Sequence, residues 1–306
     1  RVTVYEKNPA SGGRMHTRET ELGGFDVGAQ YFTARSAAFK KQVMAWRQAG
    51  WLARWDGRLA KLEAGRMQKA GGNRQRWVAV PGMDALCRQL AQEVDVRREQ
   101  RVMAIEGHGD AWLLKVQADS VPIAASAGPF DAVIVALPAP QAASLLQIAP
   151  ALAQQAAKVH LAPCWALALA FQETLDLPYD GAWVHGSRLG WIARDTSKPQ
   201  RRPGEHWVAQ ATPGWSSEHL EDAPERARDK LLKAFQEATG RAVQPVYAAI
   251  HCWRFAQAER PLAGACLWQA KLRIGACGDW FAAGLEGSGR VENAWLSGLA
   301  LAEQVA

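Results

Sequence analysis

The sequence predicts an α/β fold in which three segments of a parallel-sheet unit alternate with two pieces of a second, α+β unit of mixed sheet and helices. Three observations predict it. The chain opens on "RVTVYEKNPASGGRMHTR", a β-rich run from Val2 to Tyr5 that ends in Glu6 and is followed by Gly12, Gly13 and Arg14. "FDAVIVALPAPQAASLL" holds a continuous apolar run, Ala132 to Leu137, of the kind buried on both faces in a central parallel sheet. Near the C-terminus, Leu272 to Ala276 lead through Gly278 and Asp279 into a glycine-rich loop and an apolar helix.

Taken in order, the first segment of the parallel-sheet unit is 1–35. Within it, "GGFDVGAQYFTAR" sets Gly23, Gly24 and Gly28 around an acid and ahead of Ala29, Gln30 and Tyr31. Glycine density of this kind marks either backbone passing close to a ligand or a pair of tight turns. The spacing in "SAAFKKQVMAWRQAG" predicts a helix at the start of the first intervening piece, 36–74. The second segment, 75–150, begins with "WVAVPGMDALCRQLAQEV", which turns at Pro81 and Gly82 and then repeats Leu86, Leu90 and Val94 at helical spacing. The strand "RVMAIEG", its partner "AWLLKVQA" and the apolar strand stopped by Pro138 and Pro140 follow. The second intervening piece, 151–261, contains the strands "CWALALAF", "HWVAQAT" and "VYAAIHCWRF" and a helix from about Asp222 to the stop signal Gly240. In the third segment, 262–306, the last helix is expected to turn Val291, Ala294, Trp295, Gly298, Leu299 and Ala302 to one face, with Gly298 allowing close approach to the sheet. The interrupting pieces form a cap, or substrate, domain.

A chain of 306 residues with 48% hydrophobic and 22% charged residues has the composition of an ordinary globular protein and can bury a large cofactor. Its net charge of +6 and pI near 9.2 suit an anionic ligand. Nucleic acid is disfavoured, because the densest basic groups, "RREQR" and "KPQRR", are not interleaved with aromatics. A dinucleotide is the better-sized anion. The five cysteines show no C-x-x-C pair and no metal spacing, so they read as reduced thiols of a cytoplasmic protein with no metal site. The longest apolar stretch, "LAPCWALALAF", is too short to span a bilayer, so no membrane is expected.

Strand, acid, glycine turn and arginine are the parts needed to hold an adenine dinucleotide. A carboxylate where Glu6 stands accepts hydrogen bonds from ribose hydroxyls, although a strand-ending Glu can equally be solvated. Gly12 and Gly13 permit close approach and Arg14 offers a fork of donors to a pyrophosphate; a surface turn is the plainer reading of the same residues. Asp279, between a strand and a glycine loop, can accept from sugar or ribityl hydroxyls while the helix start faces phosphate.

Together "VTVYEKNPASGGRMHTR", "FDVGAQYFTAR", "FDAVIVALPAPQA", "HCWRFAQAERPL" and "CGDWFAAGLEGSGRVENAWLSGLALA" resemble, in order and over most of the chain, the flavin-containing amine oxidase superfamily, and within it bacterial renalase-type oxidoreductases. The resemblance implies a Rossmann-like FAD-binding domain interleaved with an α+β substrate domain. In it Glu6 would bind the adenosine ribose, Gly12, Gly13 and Arg14 the pyrophosphate side, and Gly28, Ala29, Gln30 and Tyr31 would pass near the flavin ring. The backbone of Val102 would meet the adenine end. Asp279, with the loop through Gly287 to the helix start at Val291, would hold the ribityl and phosphates, noncovalently. The implied activity is oxidation of dihydro-isomers of NAD(P)H, with molecular oxygen as acceptor and hydrogen peroxide as product. An amine oxidase acting on a small amine, or a nucleotide-binding protein without turnover, are the other readings.

Hydride transfer from a dihydronicotinamide needs stacked rings and exclusion of water, with no strong base. For the cap, Trp183, Trp191, Trp207, Trp215, Trp253 and Trp280 are candidates to sandwich a nicotinamide, with His251 and Arg254 to orient its polar groups; most of the fourteen tryptophans must be core. His251 can equally be a satisfied core histidine. Two departures from the family stand out. The first strand and its G-x-G-x-x-G turn are absent from these residues, which is expected to reflect truncation, since their loss leaves a mid-sheet edge unpaired. Cys252 also stands where a basic residue is expected.

Overall fold

Neither of the two units of the chain is a continuous stretch of sequence. One comprises Arg1–Ser11, Leu90–Leu161 and Gln257–Ala306, the other Gly12–Gln89 and Ala162–Ala256. The computed structural model describes residues 1–63, 65–71, 74–118, 124–285, 287 and 289–306. Residues 12–35 and 75–89, expected in the parallel-sheet unit, lie in the other one. The cause is packing: Phe25 and Val27 are buried against Ala166, Ala168, Ala170 and Val208, and the strand Trp77–Ala79 pairs with Leu52–Arg54. Conversely, Leu152, Ala153 and Ala156 share one apolar cluster with Val135, Ala139 and Leu267, which draws 151–161 into the first unit.

In the first unit, Thr3–Tyr5 runs parallel to Asp95–Arg97. Val133–Val135 runs parallel to Ile274–Ala276, which is also antiparallel to Leu267–Gln269. The predicted pair "RVMAIEG" and "AWLLKVQA" forms the strands Gln100–His108 and Ala111–Ala118 of a three-stranded antiparallel sheet. The apolar strand is shorter than its sequence suggests and is not buried on both faces, since Ile134 is 46% exposed. Among the described residues it has a ladder partner on one edge only. The helix expected through Val94 ends at Leu90 and passes into a 3-10 turn, leaving Leu90 and Val94 exposed.

Helix Val291–Val305 corrects another expectation. Its buried positions are Glu292, Asn293, Ser297 and Leu301, while Leu299 is exposed. The polar side chains are turned inward because they serve the preceding loop. Asn293 Nδ2 donates to the carbonyls of Phe281 at 3.0 Å and Ala282 at 2.9 Å, and Ser297 Oγ accepts from Gly278 N at 3.0 Å. Close approach to the sheet depends on Gly275 rather than Gly298. A Cβ on Gly275 would stand 2.5 Å from Leu267 O and 2.9 Å from Leu301 Cδ1, whereas one on Gly298 would meet open space.

A seven-stranded mixed sheet organises the second unit, in the order Tyr247–Ala258, Leu161–Phe171, Glu205–Ala211, Leu189–Arg194, Gly181–His185, Leu59–Glu63, Arg66–Lys69. Side chains alternate across a strand, so "CWALALAF" sends Leu167, Leu169 and Phe171 to one face and Ala166, Ala168 and Ala170 to the other. The leucine face is covered by helix Pro224–Thr239 through Ala227, Leu231, Ala234 and Phe235. That helix ends, as its sequence indicates, on Gly240 in the left-handed conformation, φ 65°. The shallow alanine face receives the hairpin Thr17–Thr20/Gly23–Asp26. Helix Ala37–Gln48, capped by Ser36 Oγ accepting from Phe39 N, also follows its predicted position.

Candidate functional site

The expected site residues are divided between the units. Glu6, Val102, Asp279, Trp280, Gly287 and Val291 belong to the first; Gly12 to Arg14, Gly28 to Tyr31, His251 and Arg254 belong to the second.

In the first unit Glu6 ends a parallel strand, and its amide donates to Arg97 O at 2.8 Å. Glu6 Oε1 accepts from Asn8 N and Asn8 Nδ2, which leaves Oε2 without a hydrogen bond among the described residues. Beside Val102 the ladder slips, pairing Lys115 with Ala104 but Val116 with Val102, so a β-bulge loosens the backbone where the adenine end is expected. The loop after Asp279 turns through Gly284, Gly287 and Gly289, all at positive φ, and is closed by Gly289 N donating to Asp279 O at 3.1 Å. Helix Val291–Val305 then begins without a capping hydrogen bond from the side chain of Arg290, and a helix start directs backbone amides outward. A strand-end carboxylate oxygen for a diol and a helix start behind a glycine loop for phosphate are a donor and acceptor set that fits FAD. Trp280 departs from its expected role. Its ring is fully buried, its Nε1 donates to Leu137 O at 3.0 Å, and it packs on Phe281, so it is a core side chain of this unit.

In the second unit the glycine turn and the second glycine cluster prove to be one construction. Gly13–Met15 forms a 3-10 turn entered from Gly12, φ 135°. Arg14 O accepts from Ala29 N at 2.9 Å, and a Cβ on Gly28 would stand 2.0 Å from that same oxygen. The two segments thus lie backbone to backbone, and only glycine fits at the crossing. Gln210 Nε2 donates to Gly28 O at 2.7 Å, fixing the crossing to the sheet. Gln30 is buried and turned inward. Its amide nitrogen donates to the carbonyls of Asp26 and Gly28, and its oxygen accepts from Lys198 Nζ at 3.4 Å.

Beneath this loop lies a cluster that the sequence reading missed. Asp26, Asp195, Lys198 and Arg201 have almost no exposed side-chain surface. Asp26 accepts from Lys198 Nζ at 2.9 Å, Arg201 Nη2 at 2.7 Å, Thr17 Oγ1 at 2.7 Å and Met83 N at 3.0 Å. Burial opposes ionisation of Asp26, but the Lys198 and Arg201 charges beside it hold its carboxyl well below the usual range. Asp195 is pushed the other way, by burial and by the charge of Asp26. The acid in "GGFDVGAQ" was the available signal; "KPQRR", noted only as a dense basic group, has its Lys198 and Arg201 buried.

Aromatic rings border the loop. Tyr31 lies 5.7 Å from both Trp55 and Trp191, and Trp183 lies 5.0 Å from Trp191. Trp55 and Trp191 are buried while Tyr31 and Trp183 remain half-exposed, and Trp191 Nε1 has no hydrogen-bond partner among the described residues. Of the other candidates, Trp207 is core under helix Pro224–Thr239, and Trp215 stacks on His219 at 4.3 Å. Trp253 donates to Val27 O at 2.9 Å and lies 4.2 Å from His251. Burial, with Arg18 and His16 nearby, pushes the His251 pKa down to about 4, so this ring is neutral at physiological pH.

Strand alternation separates His251 from Arg254. Trp253, two residues from His251, packs on the hairpin face, whereas Ile250 and Cys252 pack on the helix face. Arg254 is exposed and bidentate with Glu221, at 2.7 and 3.0 Å. It does not join His251 in orienting a substrate. The same alternation puts Cys252 in the apolar cluster beneath the helix, which accounts for the absence of a basic residue there.

The chain matches the family model of flavin containing amine oxidoreductases over residues 38–306. Its fold is shared with a protein assigned as protoporphyrinogen oxidase from Exiguobacterium sp. 255-15 (13% identity, TM-score 0.74, 98% of this chain and 92% of that one). Cyclohexylamine oxidase from Brevibacterium oxydans IH-35A is similar to the same degree (12% identity, TM-score 0.74, 99% and 92%). Putrescine oxidase bound to putrescine is a further structural relative (11% identity, TM-score 0.65, 98% and 92%). With a family match over most of its length, and with residues suited to FAD, this chain belongs to the flavin containing amine oxidoreductase family and is an FAD-dependent oxidoreductase.

Proposed function

We propose that the protein oxidises dihydro-isomers of NAD(P)H to the ordinary oxidised nucleotide, in the manner of renalase-type enzymes. The observation that carries this reading is the aromatic group of Tyr31, Trp55, Trp183 and Trp191 beside the Gly28–Tyr31 loop. Flat walls suit a planar ring better than a flexible amine. Trp191 Nε1, buried and without a partner among the described residues, is a donor for a substrate carboxamide. His251, neutral, can exchange hydrogen bonds with polar substrate groups without repelling them.

Bound FAD supplies the hydride acceptor. The substrate ring carbon would give up a hydride and become the oxidised nicotinamide, and molecular oxygen, taking the electron pair, the hydride's proton and one further proton from solvent, would leave as hydrogen peroxide. No protein base is needed, because the carbon loses no proton. Tyr31 and the tryptophans position the ring and exclude water, and the Asp26 cluster holds the loop that carries Tyr31. We read binding as noncovalent, in keeping with burial raising the thiols of all five cysteines: Cys87 and Cys277 to about 11, Cys164 to about 12, and Cys252 and Cys266 in the same direction. The five free cysteines suit a cytoplasmic protein. No helix of the described residues is long and apolar enough to cross a membrane.

The structural relatives that act on cyclohexylamine and putrescine favour a second reading, oxidation of a small amine. Anaerobic mixing of the yellow protein decides between them. Bleaching by dihydronicotinamide isomers alone supports the first; bleaching by amines alone replaces it with the second.

A further inference from the structure

A cleft of about 590 Å³ in the second unit is lined by Thr33, Arg35, Lys40, Met44, Arg74 and Trp77, among others. Among the described residues its lining holds no carboxylate, and it carries the cations Lys40 and Arg74. Lys40 and Arg74 are exposed, and neither makes an ion pair among the described residues. Fixed positive charge without a neutralising acid attracts an anion, and converging guanidinium and ammonium groups match phosphate in particular. Met44, 37% exposed, offers apolar surface beside the cations, with the buried Val43 and Trp77 behind it. A cationic rim on an apolar wall suits a molecule with anionic phosphates and a flat base. The volume is within the range of small-ligand pockets.

The cleft is also tied to the candidate site. Trp77 and Phe32 exchange both backbone hydrogen bonds, at 2.9 and 2.8 Å, and Phe32 follows Tyr31 directly. Thr33 and Arg35 continue the same loop. A ligand seated here would contact the chain two residues beyond the ring that borders the aromatic group.

We propose that this cleft binds the phosphate-bearing nucleotide portion of the substrate, with Lys40 and Arg74 on phosphate and Met44 against the base. The proposal rests on the dihydronicotinamide reading and gives that substrate its second point of attachment. It also explains how a protein without a carboxylate-lined cleft here would favour dinucleotides over amines.

The test is calorimetric titration of the FAD-saturated protein, so that the cofactor's own nucleotide site is filled, with ADP, adenosine and inorganic pyrophosphate. ADP is expected to bind, to bind less tightly as salt is raised, and to lose at least about tenfold in affinity in Lys40→Ala/Arg74→Ala, as loss of charged hydrogen bonds predicts. Flavin absorbance of the variant reports that it remains folded. Adenosine binding as tightly as ADP, ADP binding equally to the variant, or no ADP binding overturns the proposal. Pyrophosphate binding as tightly as ADP overturns the nucleotide assignment, since the cleft would then read a bare anion. If ADP behaves as expected but dihydronicotinamides fail to bleach the flavin, the cleft stands and the substrate reading falls. If they bleach it with the same KM in the variant, the substrate reading stands and the cleft proposal falls.

Discussion

Gly28 has no room for a methyl group, because its Cβ would stand 2.0 Å from a backbone oxygen that cannot swing away. Gly28→Ala should therefore lower stability by about 1–3 kcal/mol, as overpacking does, and release FAD; the melting temperature and the flavin absorbance after gel filtration check both. Lys198 is the other position where one atom decides much. Lys198→Met leaves Asp26 and Asp195 buried together with Arg201 alone between them, a loss of about 3–5 kcal/mol on the scale of broken buried pairs, readable by urea denaturation. His251 sets a pH dependence. Its pKa falls from 6.5 in the unfolded chain to about 4 in the folded one, so between those values the unfolded state binds more protons. Stability should decline on acidification through that window and should do so less steeply in His251→Gln, as melting temperatures across the range would show. The glycine turn and the carboxylate of Glu6 were legible as residues with spacing. The partners of Asp26 were not, because Lys198 and Arg201 lie 172 and 175 positions away and look like surface charge.

The strand Leu161–Phe171 shows how one element serves two faces. Leu167→Ala should open a cavity under the helix and cost about 2–5 kcal/mol without changing FAD binding. Ala168→Leu, one residue on, should cost about 1–3 kcal/mol and weaken FAD binding as well, because it lifts the hairpin that leads to Gly28. A parallel measurement of denaturation and flavin affinity separates the two. Helices Ala37–Gln48 and Pro224–Thr239 were readable from periodicity and end signals because each buries an ordinary apolar stripe. Helix Val291–Val305 was misread for the opposite reason. Its buried face carries Asn293 and Ser297, whose hydrogen bonds to the loop outweigh hydrophobicity in setting the helix rotation, and no periodicity scale registers that.

Across the whole chain, the α/β class, the interleaving and the flavin family were legible because five short motifs occur in order along the sequence. The division into units was legible only in outline. Where a segment belongs depends on which sheet its side chains cover, and the hairpin Thr17–Asp26 is adjacent in sequence to the strand of Glu6 but packed on the alanine face of the other unit. The cleft near Arg35 was invisible for a similar reason, since Lys40 and Arg74 are 34 positions apart and belong to no motif.

The chain passes from one unit to the other after Ser11, Gln89, Leu161 and Ala256. Synthesis on a ribosome runs in that order, so Val133–Val135 must wait for its ladder partner Ile274–Ala276 until the final stretch has been made. The seven-stranded sheet, by contrast, has all its strands once Ala258 has been made, before Ile274–Ala276 appears. Tyr31, Trp55, Trp183 and Trp191 are thus in place before the parallel pair that leads into the glycine turns after Asp279 can form.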